Sequence, residues 1–180
     1  MRIIGSCIAA ALMLPAIVTV ANEGGGGSAI KVSSSAFDNG GKIPSEYTCE
    51  GKGVAPPIAW SAVPPATKSI AVLVEDPDAP GGTFQHFVAF NLPPDRTSLP
   101  TQAVKAIAPG SALLSAKNSN GTVGFAPICP PSGRHHYRFE VVALDTALDL
   151  PAGADAQAVR AAMQGHTLAR GELVGTFGKR

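Results

Sequence analysis

A chain of 180 residues, 45% hydrophobic and 15% charged, carries enough apolar side chain for a full core, which excludes an intrinsically disordered protein. Its 14 basic and 13 acidic side chains nearly cancel, so charge makes no case for nucleic acid or an anionic membrane surface as partner. One compact domain is expected.

Met1-Arg2 followed by the apolar run Ile3 to Val20 reads as the n-region and h-region of a secretory leader, with Thr19-Val20-Ala21 as a small-residue cleavage site. A membrane anchor is the rival reading. Pro15, the alanines and the lack of downstream positive charge favour cleavage, leaving no stable anchor. Ile4-Gly5-Ser6-Cys7 has a faint lipoprotein look, but too little apolar sequence precedes Cys7 for processing there. The expected division is a leader over 1–21, a flexible glycine-rich lead-in over 22–29 and a single domain over 30–180, in a periplasmic or secreted protein. Loss of Arg2 with the leader turns 14 basic residues into 13, against 13 acidic. Cys49 and Cys129 then remain, and in an oxidising compartment they are a disulfide candidate, with two unpaired thiols as the alternative.

Strand-length apolar runs recur between Pro, Gly, Asn and Asp, which predicts a mainly β domain. Ser69 to Glu75 is apolar on both faces and suits an interior strand of a sandwich. Asp76 continues the row of Ile70, Val72 and Val74, where a carboxylate is costly unless hydrogen-bonded or open to a pocket. In the next segment, Asp76-Pro77-Asp78-Ala79-Pro80, two prolines stiffen a doubly acidic loop. His86 to Leu92 predicts a second strand, with His86, Val88 and Phe90 on one face and Phe87 and Ala89 on the other. His135 to Asp145 predicts a third, with His135, Tyr137, Phe139, Val141 and Ala143 facing the core. Asp155 is a candidate cap for a helix running to about Gly165, and Glu172 to Phe177 reads as a last short strand. Pro-Pro connections at 56–57, 64–65, 93–94 and 130–131 argue for stiff loops.

Three strands thus end an apolar row on a polar group, which predicts a pocket at one end of the sandwich, built from Asp76, Asp78, His86, His135 and Tyr137. Protonated histidines there suit a phosphate. The same groups suit zinc, although no H-E-x-x-H pair supplies the usual local scaffold, and no bound metal is expected. His136 and His166 continue no core-facing row and are assigned to solvated positions. Without a G-x-S-x-G elbow, a Walker loop or a dinucleotide fingerprint, no cofactor is expected and an enzyme ranks below a binding protein.

With these residues in view, the chain resembles the phosphatidylethanolamine-binding protein family and, within it, the bacterial Raf kinase inhibitor-like branch. The resemblance runs from about Phe37 to the C-terminus. It rests on Phe37-Asp38 with Ile43-Pro44 and Tyr47-Thr48-Cys49, on Pro56 to Trp60, Asp76 to Pro80, Phe84-Gln85-His86-Phe87, Asn118 to Gly121, Cys129-Pro130-Pro131 and His135-His136-Tyr137. It implies two antiparallel sheets packed as a β-sandwich with small peripheral helices and an anion-accepting pocket at one end. Position by position, it implies ligand contacts at Asp76, Asp78, His86, His135 and Tyr137, with Pro77, Ala79, Pro80, Phe84, Cys129 and Pro131 as wall. The implied ligand is a phosphate-containing small molecule or a phospholipid head group. Binding of a protein partner, as an inhibitor of kinases or proteases, is the alternative, and a metal-assisted hydrolase using His86, His135 and Asp76 ranks third. The chain departs from the family pattern at Phe84 and Phe87, where tryptophan is usual, and at Ala126-Pro127-Ile128, where the bulk of Ile128 is expected to narrow the mouth. Gly53 and Ala55 also replace the usual Asn and Ser before Pro56.

Overall fold

The computed structural model describes residues 29–101 and 113–179; the expected leader and most of the lead-in lie outside them. In chain order the elements are β1 (Val32–Ser33), a 3-10 turn at Ser45–Tyr47, β2 (Ile58–Trp60), β3 (Ser69–Asp76), β4 (Phe84–Leu92) and β5 (Ser98–Leu99). They continue with β6 (Leu114–Ser115), β7 (Arg134–Leu144), α1 (Ala156–Ala162) and β8 (Thr167–Gly178). The strands form two antiparallel sheets, β1-β2-β5 and β6-β4-β3-β7-β8, as the sequence led us to expect.

β3 is the middle strand of the larger sheet and is buried along its whole length, because both faces are covered. Ile70, Val72 and Val74 join Tyr137, Phe139, Val141 and Ala143 in the core between the sheets, where Ile58, Trp60 and Leu99 of the smaller sheet meet them. Ala71 and Leu73 face the other way, onto Val159 and Met163 at α1 and Leu148 before it. Asp155 caps α1 by accepting the Gln157 N–H, so the helix begins where its sequence signal stood.

The expected face assignment of β4 is overturned at its functional end. Val74 pairs with Phe87 but Glu75 pairs with Gln85, so His86 is one residue extra on its strand. Such a bulge reverses the side-chain alternation beyond it. Val88 and Phe90 face the helix, while the His86 ring lies edge-on to Tyr137 with centroids 5.4 Å apart, on the side of the inter-sheet core. A second shift, between Ile70 and Val72, accompanies Asn91 at φ 56°, whose side chain clamps the Leu148 backbone through both its amide atoms.

β8 is also longer than the short strand expected. Its core-facing row reads Ala169, Gly171, Leu173, Gly175, Phe177, and the two glycines conceal the alternation. They are there because other chain segments pass directly over them. A Cβ on Gly171 would collide with the Ile30 carbonyl, and one on Gly175 would lie 2.6 Å from Ile43 and 2.7 Å from Phe37.

Glu75 is the largest departure from an apolar reading of β3. Fully buried, it accepts from Arg138 at 2.6 Å, from Gln85 at 2.6 Å and from the Arg160 guanidinium on α1. Burial pushes its carboxyl upward, but the bonds from Arg138, Arg160 and Gln85 together outweigh this and hold it below the usual range. The network thus contributes fully above the carboxyl's ordinary value of 4.5 and is lost as pH falls through the lowered one.

Glu75→Gln is therefore expected to cost about 3 kcal/mol near neutrality, at the low end for a broken buried pair because both guanidiniums reach solvent. It should also flatten the acid limb of stability; urea midpoints measured from neutral to acidic pH check both. Gly171→Ala is expected to destabilise by about 1–3 kcal/mol through overpacking against the Ile30 backbone, read from the same unfolding curves.

Candidate functional site

β3 ends at Asp76, and the stiff Asp-Pro-Asp-Ala-Pro loop that follows is fastened to the start of β7 twice. Asp76 Oδ1 accepts the Asp78 N–H at 2.9 Å, and its Oδ2 lies 2.7 Å from His135 Nδ1. Pro77 has no N–H, so the first backbone donor after Asp76 belongs to Asp78. Asp78 Oδ2 in turn accepts the backbone N–H of His136 at 2.8 Å and bonds its Nδ1 at 2.7 Å. Because neighbours on a strand point to opposite faces, His135 is buried with Asp76 while His136 is exposed with Asp78. Hydrogen bonding from His136, first its ring and then its backbone, holds the Asp78 carboxyl below its ordinary value.

Beside this loop lies a cavity of about 470 Å³, a size suited to a small organic ligand or head group. Asp76 and His86 line it, with Ala79, Pro80, Phe84, Cys129 and Pro131 of the expected wall. Pro77, Asp78, His135 and Tyr137 are not on its lining. His135 stands behind Asp76 as its hydrogen-bond partner, Tyr137 packs on the edge of His86, and Asp78 turns outward to His136.

Gly81, Gly82, Thr83, Ser119, Asn120 and Pro127 complete the wall. None was singled out as a site residue from the sequence, although Asn118 to Gly121 was one of the resembling blocks. Buried Asn118 builds that turn by accepting from Asn120 N–H, Thr122 N–H and the Thr122 hydroxyl, and by donating to the Gly124 carbonyl. Ser119 is fixed by accepting the Gln85 N–H at 2.8 Å, which leaves its own hydroxyl proton available.

His86 is held in one orientation. Its Nδ1 is 2.8 Å from the Ala126 carbonyl, its backbone carbonyl accepts the Ala126 N–H at 2.8 Å, and Phe84 lies 4.7 Å from its ring. A carbonyl only accepts, so Nδ1 carries a proton in every state of the ring and Nε2 is the polar atom left for a ligand. Burial lowers the His86 pKa below its ordinary 6.5, opposed by the Ala126 carbonyl and by Asp76. Neutral His86 therefore offers an acceptor, and only acidification turns Nε2 into a donor. Burial, followed by the field of Asp76, pushes the Tyr137 hydroxyl far upward, so it stays protonated.

No Lys or Arg lines the cavity, whose charge rests on Asp76 and His86. Among the described residues no three His, Cys, Asp or Glu side chains converge with metal-holding geometry, so nothing here favours the zinc reading.

The far wall is braced covalently. Cys49 and Cys129, 80 residues apart, form a disulfide, and the Cys49 N–H donates to the Ile128 carbonyl at 3.0 Å. Ile128 itself is fully buried in the inter-sheet core, so it does not narrow the mouth as its bulk had suggested. Pro127 instead borders the cavity and packs over Gly53, whose φ of +60° suits glycine.

A two-sheet sandwich with a cavity at the end of its central strands is the class of protein these observations define. Residues 33–178 match the phosphatidylethanolamine-binding protein family, and the chain belongs to that family of ligand-binding proteins. A UPF0098 protein of Methanothermobacter thermautotrophicus is 42% identical over 148 residues, covering 82% of this chain and 98% of the relative. A Mycobacterium tuberculosis protein described as lipoprotein LppC is 38% identical, over 82% of this chain and 72% of its own. Among solved structures, the phosphatidylethanolamine-binding protein homolog CT736 of Chlamydia trachomatis superposes with a TM-score of 0.77 at 36% identity, and Escherichia coli YbcL with 0.76 at 30%. In each case the match covers 84% of this chain and 99% of the other.

Removal of the cross-link should cost about 4–5 kcal/mol in the chain-entropy model for a loop of 80 residues. Comparing Cys49→Ser/Cys129→Ser with the oxidised protein by urea unfolding measures it, and matching curves would assign the bond no stabilising role.

Proposed function

We propose that this protein is an exported, non-enzymatic binder of a phosphate-bearing group, free or as a lipid head group, held in the cavity between Asp76 and His86. The observation that carries the reading is the state of His86: its Nδ1 is committed to a backbone carbonyl, leaving Nε2 for the ligand. Once protonated, the ring supplies the positive charge that the rest of the lining lacks. Asp76, braced by His135, keeps the imidazolium oriented and accepts from a protonated oxygen or an ammonium on the ligand. Ser119, Asn120 and Thr83 lie on the lining to complete the polar contacts.

Export is supported by the disulfide, which persists in oxidising compartments, and by the lipoprotein description of the mycobacterial relative. Among the described residues no helix is long and apolar enough to cross a membrane. The leader over 1–21 is part of this proposal.

The pH dependence has a definite sign. In the free protein the His86 pKa is lowered, so at pH values between the lowered and the ordinary value the unfolded chain binds more protons, and stability falls as pH drops through that window. A bound anion favours the imidazolium and reverses this. Titration with inorganic phosphate and phosphoethanolamine, following the His86 and His135 ring protons by NMR, is expected to give saturable shifts that tighten below pH 6.5. Binding should be lost in His86→Ala, with sulfate controlling for the changing charge of phosphate. A flat pH profile with an unaltered His86→Ala would sink the anion reading, and silence at both rings in the folded protein would turn attention to a protein partner.

A further inference from the structure

A second concavity, of about 600 Å³ and sharing no lining residue with the first, includes Gly133 from the segment that follows Cys129-Pro130-Pro131. The loop after β1 contributes Gly40 and Lys42, the start of β7 and the residue before it contribute Arg134 and Gly133, and the end of β8 and the residue after it contribute Thr176, Phe177, Gly178 and Lys179. Lys42, Arg134 and Lys179 are all exposed, come from three separate segments, and enter no ion pair among the described residues. No Asp or Glu is on the lining. Arg138, Arg160 and Arg170 are each matched with a carboxylate, whereas Lys31, Lys68, Arg96 and Lys117 also enter no ion pair among the described residues, so what sets the groove apart is the convergence of its three cations rather than their being unpaired. Cations gathered from three directions around one groove, without an acid, fit a partner that brings several negative charges.

The backbone of the floor narrows the kind of partner. The outer edge of β8 is covered where Val174 accepts from Gly40 and where Thr176 bonds both Gly41 and Ile43. By the alternation of a strand, the next outward-facing position is Gly178, and no covering segment bonds it among the described residues. An N–H and a C=O side by side on an uncovered edge are complemented by another main chain, which an inorganic anion cannot provide. Gly133 and Gly178 add no side chains of their own to a lining that Thr176 and Phe177 complete. A Cβ on Gly178 would lie 2.6 Å from the Gly133 carbonyl, so glycine is required where the two backbones approach.

We infer that this groove is a docking site for an extended acidic peptide segment of another protein, which pairs its backbone with the Gly178 edge and places carboxylates against Lys42, Arg134 and Lys179. The site is separate from the cavity at Asp76 and His86 and does not depend on how that cavity is used.

The test uses an acetylated hexaglutamate peptide as probe, with hexaserine and inorganic tripolyphosphate as comparisons, titrated into the protein with amide NMR detection. Saturable shifts centred on Gly178 and Lys179 are expected from hexaglutamate and not from hexaserine, weakening as salt is raised. Lys42→Glu/Arg134→Glu should weaken binding by about tenfold or more, as two rim pairs become two repulsions, while leaving phosphate shifts at the His86 ring unchanged. Absence of hexaglutamate shifts at Gly178, equal binding in the charge-reversed variant, or tripolyphosphate binding there that hexaglutamate cannot displace would each overturn the inference.

Discussion

The site depends on one inserted residue. Had β4 kept the register that pairs Val74 with Phe87, His86 would lie on the helix side of the sheet with Val88 and Phe90, remote from Asp76 and Tyr137. The bulge brings it round to the other face, and the Ala126 backbone secures it there through two hydrogen bonds, one to the ring and one to the main chain. Local backbone irregularity thus does what no rotamer change could, since a side chain on the wrong face of this five-stranded sheet cannot reach through it. The cavity is the space that remains between the bulged strand, the Asp76 loop and the disulfide-braced wall.

Two acidic neighbours in the chain illustrate how strand alternation separates roles. Glu75 and Asp76 are both buried, yet they face opposite sides of the sheet. Glu75 meets guanidiniums, whose charge is permanent, and it ties β3 to β7 and to α1. Asp76 meets an imidazole, that of His135, and it sits on a cavity. The first arrangement anchors the floor under the site; the second fixes a carboxylate at the cavity itself.

Much of this was legible before any coordinates. The mainly β class and the interior position of β3 followed from strand-length apolar runs, and the core face of β7 from strict alternation over Tyr137, Phe139 and Val141. What stayed hidden has physical reasons. A bulge adds a residue without marking composition, so the face of His86 was misassigned. Gly171 and Gly175 erased half the apolar row of β8 because their missing side chains make room for Ile30, Phe37 and Ile43. The Glu75 network joins residues 63 and 85 positions apart, and no local pattern announces such a meeting. Ser119 and Asn120 reach the cavity from a turn whose shape is set by buried Asn118, which a strand-by-strand reading does not weigh.

The cross-link between Cys49 and Cys129 also orders events in the life of the chain. During synthesis the first sulfur emerges long before its partner, and the intervening residues contain β2 through β6, including the bulged strand. The wall is thus locked only after the central hairpin of the larger sheet has been made, and only where an oxidant is at hand. A reduced copy carries the same strands but an unlatched wall, so completion of the cavity is tied to oxidation of this pair rather than to translation alone.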